Sequence, residues 1–244
     1  ERYSILMATY LQLSNKVLRS LNEVELTSAN FANSKGIQTA VKDFINRSIN
    51  DIYTAELEWP FLHTDGTITT VAGTAEYALP TGYKSVDVDT LYLIEASEDV
   101  KVIPYIPYDQ FAIQFRERDL DPTTTDNRDK PEYFYLTQDD KIGFTPIPDK
   151  EYTVYYEYWA THTDLSASTD EPALPARYHD VIVARSEYYV HQLRADLQAT
   201  TLKHSEYEAR ISRMRIDLIN KPDYMRSTAI NAGGRSSTRH PKYF

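Results

Sequence analysis

From residue 9 onward the apolar positions Tyr10, Leu13, Val17, Leu21 and Val24 recur at three- and four-residue spacing. That spacing puts them on one side of a helix over residues 9–23, with Thr9 as its cap and Leu6 extending the stripe backwards. Residues 22–34 are polar and read as a loop plugged by Phe31. A second stripe, Ile37, Val41, Phe44, Ile45, Ser48 and Ile52, predicts a helix over 34–58. Ser34 is its expected N-cap, and Pro60 ends it, because the residue before a proline avoids helical angles.

The period then changes from 3.6 to 2. Residues 62–160 alternate and are rich in β-formers. Strands are predicted over 64–71, 76–79, 86–95, 100–103, 132–137, 141–145 and 151–160, with a helical interlude at 108–116. Pro80-Thr81-Gly82, Ser97-Glu98-Asp99 and Gln138-Asp139-Asp140 supply turns. Seven short antiparallel strands predict a sandwich or small barrel. After Pro172 and Pro175 the helical period returns. Tyr178, Ile182, Arg185, Tyr189 and Leu193 mark one helix. Leu202, Tyr207, Ile211, Met214 and Leu218 mark another, starting near Asp196 and ending before Pro222.

The predicted class is therefore α+β: a four-helix bundle with an inserted antiparallel β-sandwich or barrel module and an extended C-terminal arm. Residues 1–60 and 172–220 form the bundle, because helix pairs at both ends bury their stripes only against each other or a partner. Residues 61–171 are the inserted module. Residues 221–244 lack any apolar period and form the arm.

Charge sharpens this division. The 244-residue chain carries −10. Its last 24 residues hold Lys221, Arg226, Arg235, Arg239 and Lys242 against Asp223 alone, a net +4, which leaves −14 on residues 1–220. A basic arm on an acidic body is a docking pattern, and Tyr243 and Phe244 add aromatic anchors at its end. The candidate docking residues are thus Arg226, Arg235, Arg239, Lys242, Tyr243 and Phe244. An acidic body is a poor wrapper of nucleic acid. No apolar run approaches the ~18 residues of a membrane span, so no membrane partner is expected.

Catalytic chemistry finds little footing. Cys is absent, which excludes disulfides and thiolate chemistry. No P-loop, dinucleotide fingerprint, nucleophile elbow or zinc-protease helix is present. No catalytic residue, cofactor or resident metal is expected. His63 and His162 stand at the two ends of the β module, close enough in principle to share an ion. The acidic loop 119–129 fails as an EF-hand, with Thr124 at the glycine position and Lys130 at the bidentate glutamate. Arg210, Arg213 and Arg215 form a basic patch that Glu206, Glu208 and Asp217 balance along the same helix.

The twenty tyrosines, eleven of them between 62 and 160, point to contact surfaces. Tyrosine joins apolar area to a polar tip and is enriched at interfaces. Tyr133, Tyr135, Tyr155, Tyr156, Tyr158 and Trp159 are the candidate subunit or tail interface, alternate ones packing the core. A carbohydrate-binding module on a helical stalk is the alternative, resting on the aromatics around Glu157.

Several stretches share their order and spacing with a known family. They are the helix from Thr9 to Glu23, Trp59-Pro60-Phe61-Leu62, Tyr77-Ala-Leu-Pro80, Pro131-Glu-Tyr-Phe-Tyr135, Ile142-Gly-Phe-Thr-Pro-Ile-Pro148 and Leu174-Pro-Ala-Arg-Tyr-His179. In these the chain resembles bacteriophage head-to-tail adaptor proteins, the connector subunits beneath the portal, and is more distantly similar in shape to tail tubular protein A of short-tailed phages. The resemblance implies a non-enzymatic virion neck protein, assembled from the host cytoplasm. It implies a ring, of twelve subunits in such adaptors, joined to the portal protein above and the next neck or tail protein below. It also implies that duplex DNA passes through the channel unread, and that the arm docks between portal subunits.

Overall fold

The computed structural model describes residues 8–94, 100–116 and 127–219. Within them the chain is a mixed α+β structure, as the change of period predicts. Two helices, α1 (Tyr10–Ser20) and α2 (Ile37–Thr54), lead into a 3-10 turn at Pro60–Leu62. The strands follow: β1 (His63–Thr69), β2 (Glu76–Ala78), β3 (Tyr83–Ile94), β4 (Lys101–Val102), β5 (Tyr133–Leu136), β6 (Lys141–Thr145) and β7 (Thr153–Ala160). A short helix α3 (Tyr108–Gln114) lies between β4 and β5, and α4 (His179–Leu193) and α5 (Leu197–Leu218) complete the order.

Thr9 caps α1 as its sequence predicts. Its side chain accepts from the Gln12 amide while the Gln12 side chain accepts from the Thr9 amide, a reciprocal capping box. The cap of α2 differs from expectation. Gly36, at φ +59°, occupies that position without a side-chain bond, and Ser34 instead accepts through its backbone carbonyl from the Thr39 hydroxyl. A glycine takes the left-handed backbone angle at no steric cost. Phe31 is buried edge-on against Tyr10, with ring centres 5.1 Å apart, and serves as the predicted plug.

One apolar cluster joins α1, α2, α4 and α5. Here α4 contacts α1, α2 and α5, whereas α5 packs chiefly on α4. Only Tyr207, Ile211 and Met214 are buried along the 22 residues of α5. This corrects three positions of the predicted stripes: Val24, Leu193 and Leu202 are exposed. Val24 lies beyond the end of α1. Leu193 and Leu202 flank the α4–α5 turn, where among the described residues no facing helix covers them.

A second cluster draws from both sheets. The four-stranded sheet has the order β1-β7-β3-β4 and the three-stranded sheet the order β2-β6-β5, with antiparallel pairing throughout. Val154 and Tyr156 of β7, Leu91 and Leu93 of β3, and Phe134, Ile142 and Phe144 of β5 and β6 meet in this cluster. Two glycines make room for rings. A Cβ on Gly66 would meet the Tyr156 ring at 2.5 Å, and one on Gly143 would meet the Tyr135 ring at 2.2 Å. Alternation along each strand sends the remaining side chains outward.

The helical and β parts meet at a polar-capped apolar junction. Trp59 is fully buried, donates from Nε1 to the Ile52 carbonyl at 2.8 Å and stacks on Phe61. Lys84 of β3 donates to the Tyr53 carbonyl at 2.7 Å and to the Glu56 carbonyl. The returning segment 161–175 lies against the helices. Asn46 and Leu165 exchange side-chain–backbone bonds, and the amides of Tyr10 and Leu11 donate to the carbonyls of Asp170 and Ser168. Those two amides belong to the first turn of α1, where no intrahelical acceptor exists.

Candidate functional site

Register decides which candidate aromatics reach the surface. On β7, Val154 and Tyr156 turn toward the other sheet, and Thr153, Tyr155, Glu157 and Trp159 turn away from it. Tyr156 is 2 % exposed, and burial pushes its phenol up to about 12. Tyr135 is equally buried and stacks on Phe111 at 3.7 Å. Both are core residues of the chain itself, the alternate positions that pack inward. The cause is the glycine opposite each ring, which lets it lie flat across the neighbouring strand.

The other four keep part of their surface. Tyr133 stacks on Phe115 at 5.8 Å, Tyr155 on Tyr92 at 5.3 Å, and Tyr158 packs beside Tyr156. Trp159 lies over the helical cluster and 4.8 Å from the His63 ring. The outer face of β7 thus carries paired rings rather than an open platform for a sugar.

His63 and His162 line one cleft of about 420 Å³ at the junction, together with Tyr53, Phe61, Glu171 and Pro172. They do not share a ligand set. Nε2 of His162 lies 3.2 Å from Asp164, with its ring edge-on to Tyr53, whereas Nε2 of His63 faces Glu157 and Asp87. In the acidic loop, Asp119, Asp121 and Asp126 lie outside the described residues.

The arginines of α5 divide. Arg210 pairs with Glu206 and donates to the Asp180 carbonyl at 2.9 Å, and Arg215 pairs with Glu56 at 2.5 Å. Arg213 is exposed and joins Arg177 and Tyr178 around a cavity of about 390 Å³. Internal pairing therefore consumes most of the patch. The six candidate docking residues Arg226, Arg235, Arg239, Lys242, Tyr243 and Phe244 lie outside the described residues, as does the whole arm.

The exposed apolar surface at the α4–α5 turn is a feature that periodicity missed. Leu193, Leu197 and Leu202 are 59, 83 and 65 % exposed. Arg194 reaches Glu23 at 2.5 Å, which brings exposed Val24 to the same end of the molecule. The available signal was length, since α4 and α5 outrun α1.

His179, in contrast, is a structural pin. Its Nδ1 accepts from the Ala8 amide at 3.2 Å and its Nε2 lies 2.9 Å from the Leu174 carbonyl. Nε2 therefore carries the proton and the ring is neutral. Burial lowers the pKa of His179, with the Leu174 carbonyl opposing, and burial likewise lowers that of His162 against the pull of Asp164. Both rings bind protons more weakly folded than unfolded, where the value is about 6.5. Their contribution is complete above that value and drains as pH falls below it. The thermal midpoint is expected to drop between about pH 7 and about pH 5. A His179→Gln variant should start lower at neutral pH and show a flatter slope; an unchanged slope would contradict the pin.

Among the described residues no helix is long and apolar enough to cross a membrane. The chain belongs to the SU10 adaptor protein family, whose sequence profile it matches over residues 8–232. That span takes in both helical segments and all seven strands. Such a family places the protein in the virion neck, in association with portal and tail proteins, and speaks for a non-enzymatic role. No curated protein matches the chain.

Proposed function

We propose that this adaptor assembles as a ring, expected to be a dodecamer, that joins the portal to the next neck or tail component and leaves a central conduit for duplex DNA. The observation that carries this reading is the family match across residues 8–232, which covers helices and β module in one alignment. In this reading residues 1–60 and 172–220 act as a four-helix bundle, residues 61–171 as a β-sandwich module, and residues 221–244 as the portal-docking arm. The exposed leucines at the α4–α5 turn and the partly buried Tyr133, Tyr155 and Tyr158 supply surface for a neighbouring subunit or the tail-side protein. The acidic body suits a channel that must release DNA. Assembly takes place in the host cytoplasm and ends in the virion neck.

The test is a titration against purified portal rings from the same genome, read by mass and electron microscopy. One chain per portal subunit, forming a second ring, is the expected result. Deleting residues 231–244 should abolish docking while leaving the circular dichroism spectrum and thermal midpoint unchanged. Docking by the truncated chain at full strength would remove the arm from this account.

A further inference from the structure

Three carboxylates stand in one row across the outer face of the four-stranded sheet. Asp65 of β1 is directly opposite Glu157 of β7, which is directly opposite Asp87 of β3. Like charges in register destabilise an antiparallel pair, so this row calls for a counter-charge. The imidazole of His63, one row away beside Trp159, faces two of the three. Its Nε2 lies 3.3 Å from Glu157 Oε2 and 3.7 Å from Asp87 Oδ2. The ligand atoms of His63, Asp87 and Glu157 all fall within 4.8 Å of one another. Two donors bound at about 2.1 Å to one ion sit about 3–3.5 Å apart, so the triad is nearly closed around a single ion.

Local contacts fix the Asp87 carboxylate, the backbone of Glu157 and the His63 ring. The Asp89 amide donates to Asp87 Oδ1 at 3.2 Å, which leaves Oδ2 facing His63. Between Asp87 and Tyr92, β3 advances five residues while β7 advances two, a bulge. Thr90, within it, accepts from the Glu157 amide at 3.0 Å and donates to the Asp87 carbonyl at 2.9 Å. Strand β7 is thereby tied to the segment that presents Asp87. The His63 ring rests on Trp159, tilted by 45°. Partners that orient ligands in this way are the usual support of a metal centre.

We propose that His63, Asp87 and Glu157 bind one divalent transition-metal ion, Zn²⁺ or Mn²⁺. An imidazole nitrogen with two carboxylates matches these ions better than Ca²⁺, which takes six to eight oxygens. The side chains are 30, 26 and 46 % exposed, which leaves the remaining positions to water. The ion fastens β1, β3 and β7 to one another at the end of the sheet next to the helical junction. This departs from the expectation of no resident metal, and it stands independently of the adaptor reading.

The experiment uses the full chain, stripped with chelator and exchanged into buffer. Zn²⁺ is titrated by calorimetry, and Mn²⁺ by loss of the free-ion paramagnetic resonance signal. Saturation at one ion per chain with a raised thermal midpoint is expected. Glu157→Gln and Asp87→Asn should each weaken binding by about tenfold or more, His63→Ala should abolish it, and Asp65→Asn should weaken it least. All four positions are at least partly exposed, and circular dichroism checks that each variant folds. Binding by Glu157→Gln equal to that of the parent chain would place the ion elsewhere and overturn the assignment. No binding to the parent chain would overturn it equally.

Discussion

Replacing Trp59 with alanine is expected to cost about 3–5 kcal/mol of folding stability, the range for removing a large buried aromatic. The indole is fully buried where α2 ends and the β module begins. Three losses combine: its apolar area, its stacking on Phe61 at 5.5 Å, and the bond from Nε1 to the Ile52 carbonyl. That carbonyl belongs to the last turn of α2, where few intrahelical donors remain. Trp59→Phe separates the terms. It restores most of the area and lacks the donor, so its cost should fall to about 1–2 kcal/mol. Urea unfolding followed by circular dichroism measures both. A cost below ~1 kcal/mol for the alanine variant would mean that the junction is not packed around this ring.

The same junction explains why the family was legible in the sequence. Trp59-Pro60-Phe61-Leu62 and Leu174-Pro-Ala-Arg-Tyr-His179 are far apart in the chain, yet both end at this contact. Trp59, Leu62, Leu174, Tyr178 and His179 are all buried, and Tyr53 bridges the two stretches by accepting from the Leu174 amide. Both crossings between helices and sheet thus call for large apolar or aromatic residues, and the sequence carries them at both. Strand positions were readable for a related reason. Val154 and Tyr156 obey a period of two because a second sheet covers one face of β7.

What remained hidden depends on neighbours that periodicity does not encode. Leu193 and Leu202 sit on correct helical stripes, but exposure depends on whether a facing helix extends that far, and among the described residues none does. Tyr135 and Tyr156 resemble surface tyrosines in sequence. Their burial follows from Gly143 and Gly66 on adjacent strands, positions found only once the register is known. The grouping of His63, Asp87 and Glu157 comes from three strands far apart in the chain. His63 stands at the entry to the module, but His162 at the exit turns to Asp164 and not to a ligand set shared with His63. Spacing along one chain carries no signal for a row that runs across a sheet.

Asp51→Ala is expected to be the second most damaging substitution, at about 2–3 kcal/mol. Asp51 of α2 accepts from Arg185 Nε of α4 at 2.7 Å and also from the Tyr189 hydroxyl, while Arg185 donates in turn to that hydroxyl at 3.0 Å. The Arg185 guanidinium lies 4.7 Å from the Tyr207 ring centre, so α5 joins the same network. Removing Asp51 strands a guanidinium that is only 18 % exposed and leaves a phenol without its acceptor. A fully buried pair broken this way costs ~3–5 kcal/mol, and partial exposure of both partners lowers that figure. The informative comparison is the double variant Asp51→Leu, Arg185→Met. Removing both charges eliminates the stranded group, so the double variant should be more stable than Asp51→Ala alone. Additive losses would show that the two side chains act independently, contrary to the shared geometry. A recovery would identify the cost as that of the unpaired cation, and α2 and α4 as helices held together mainly by the apolar contacts around it.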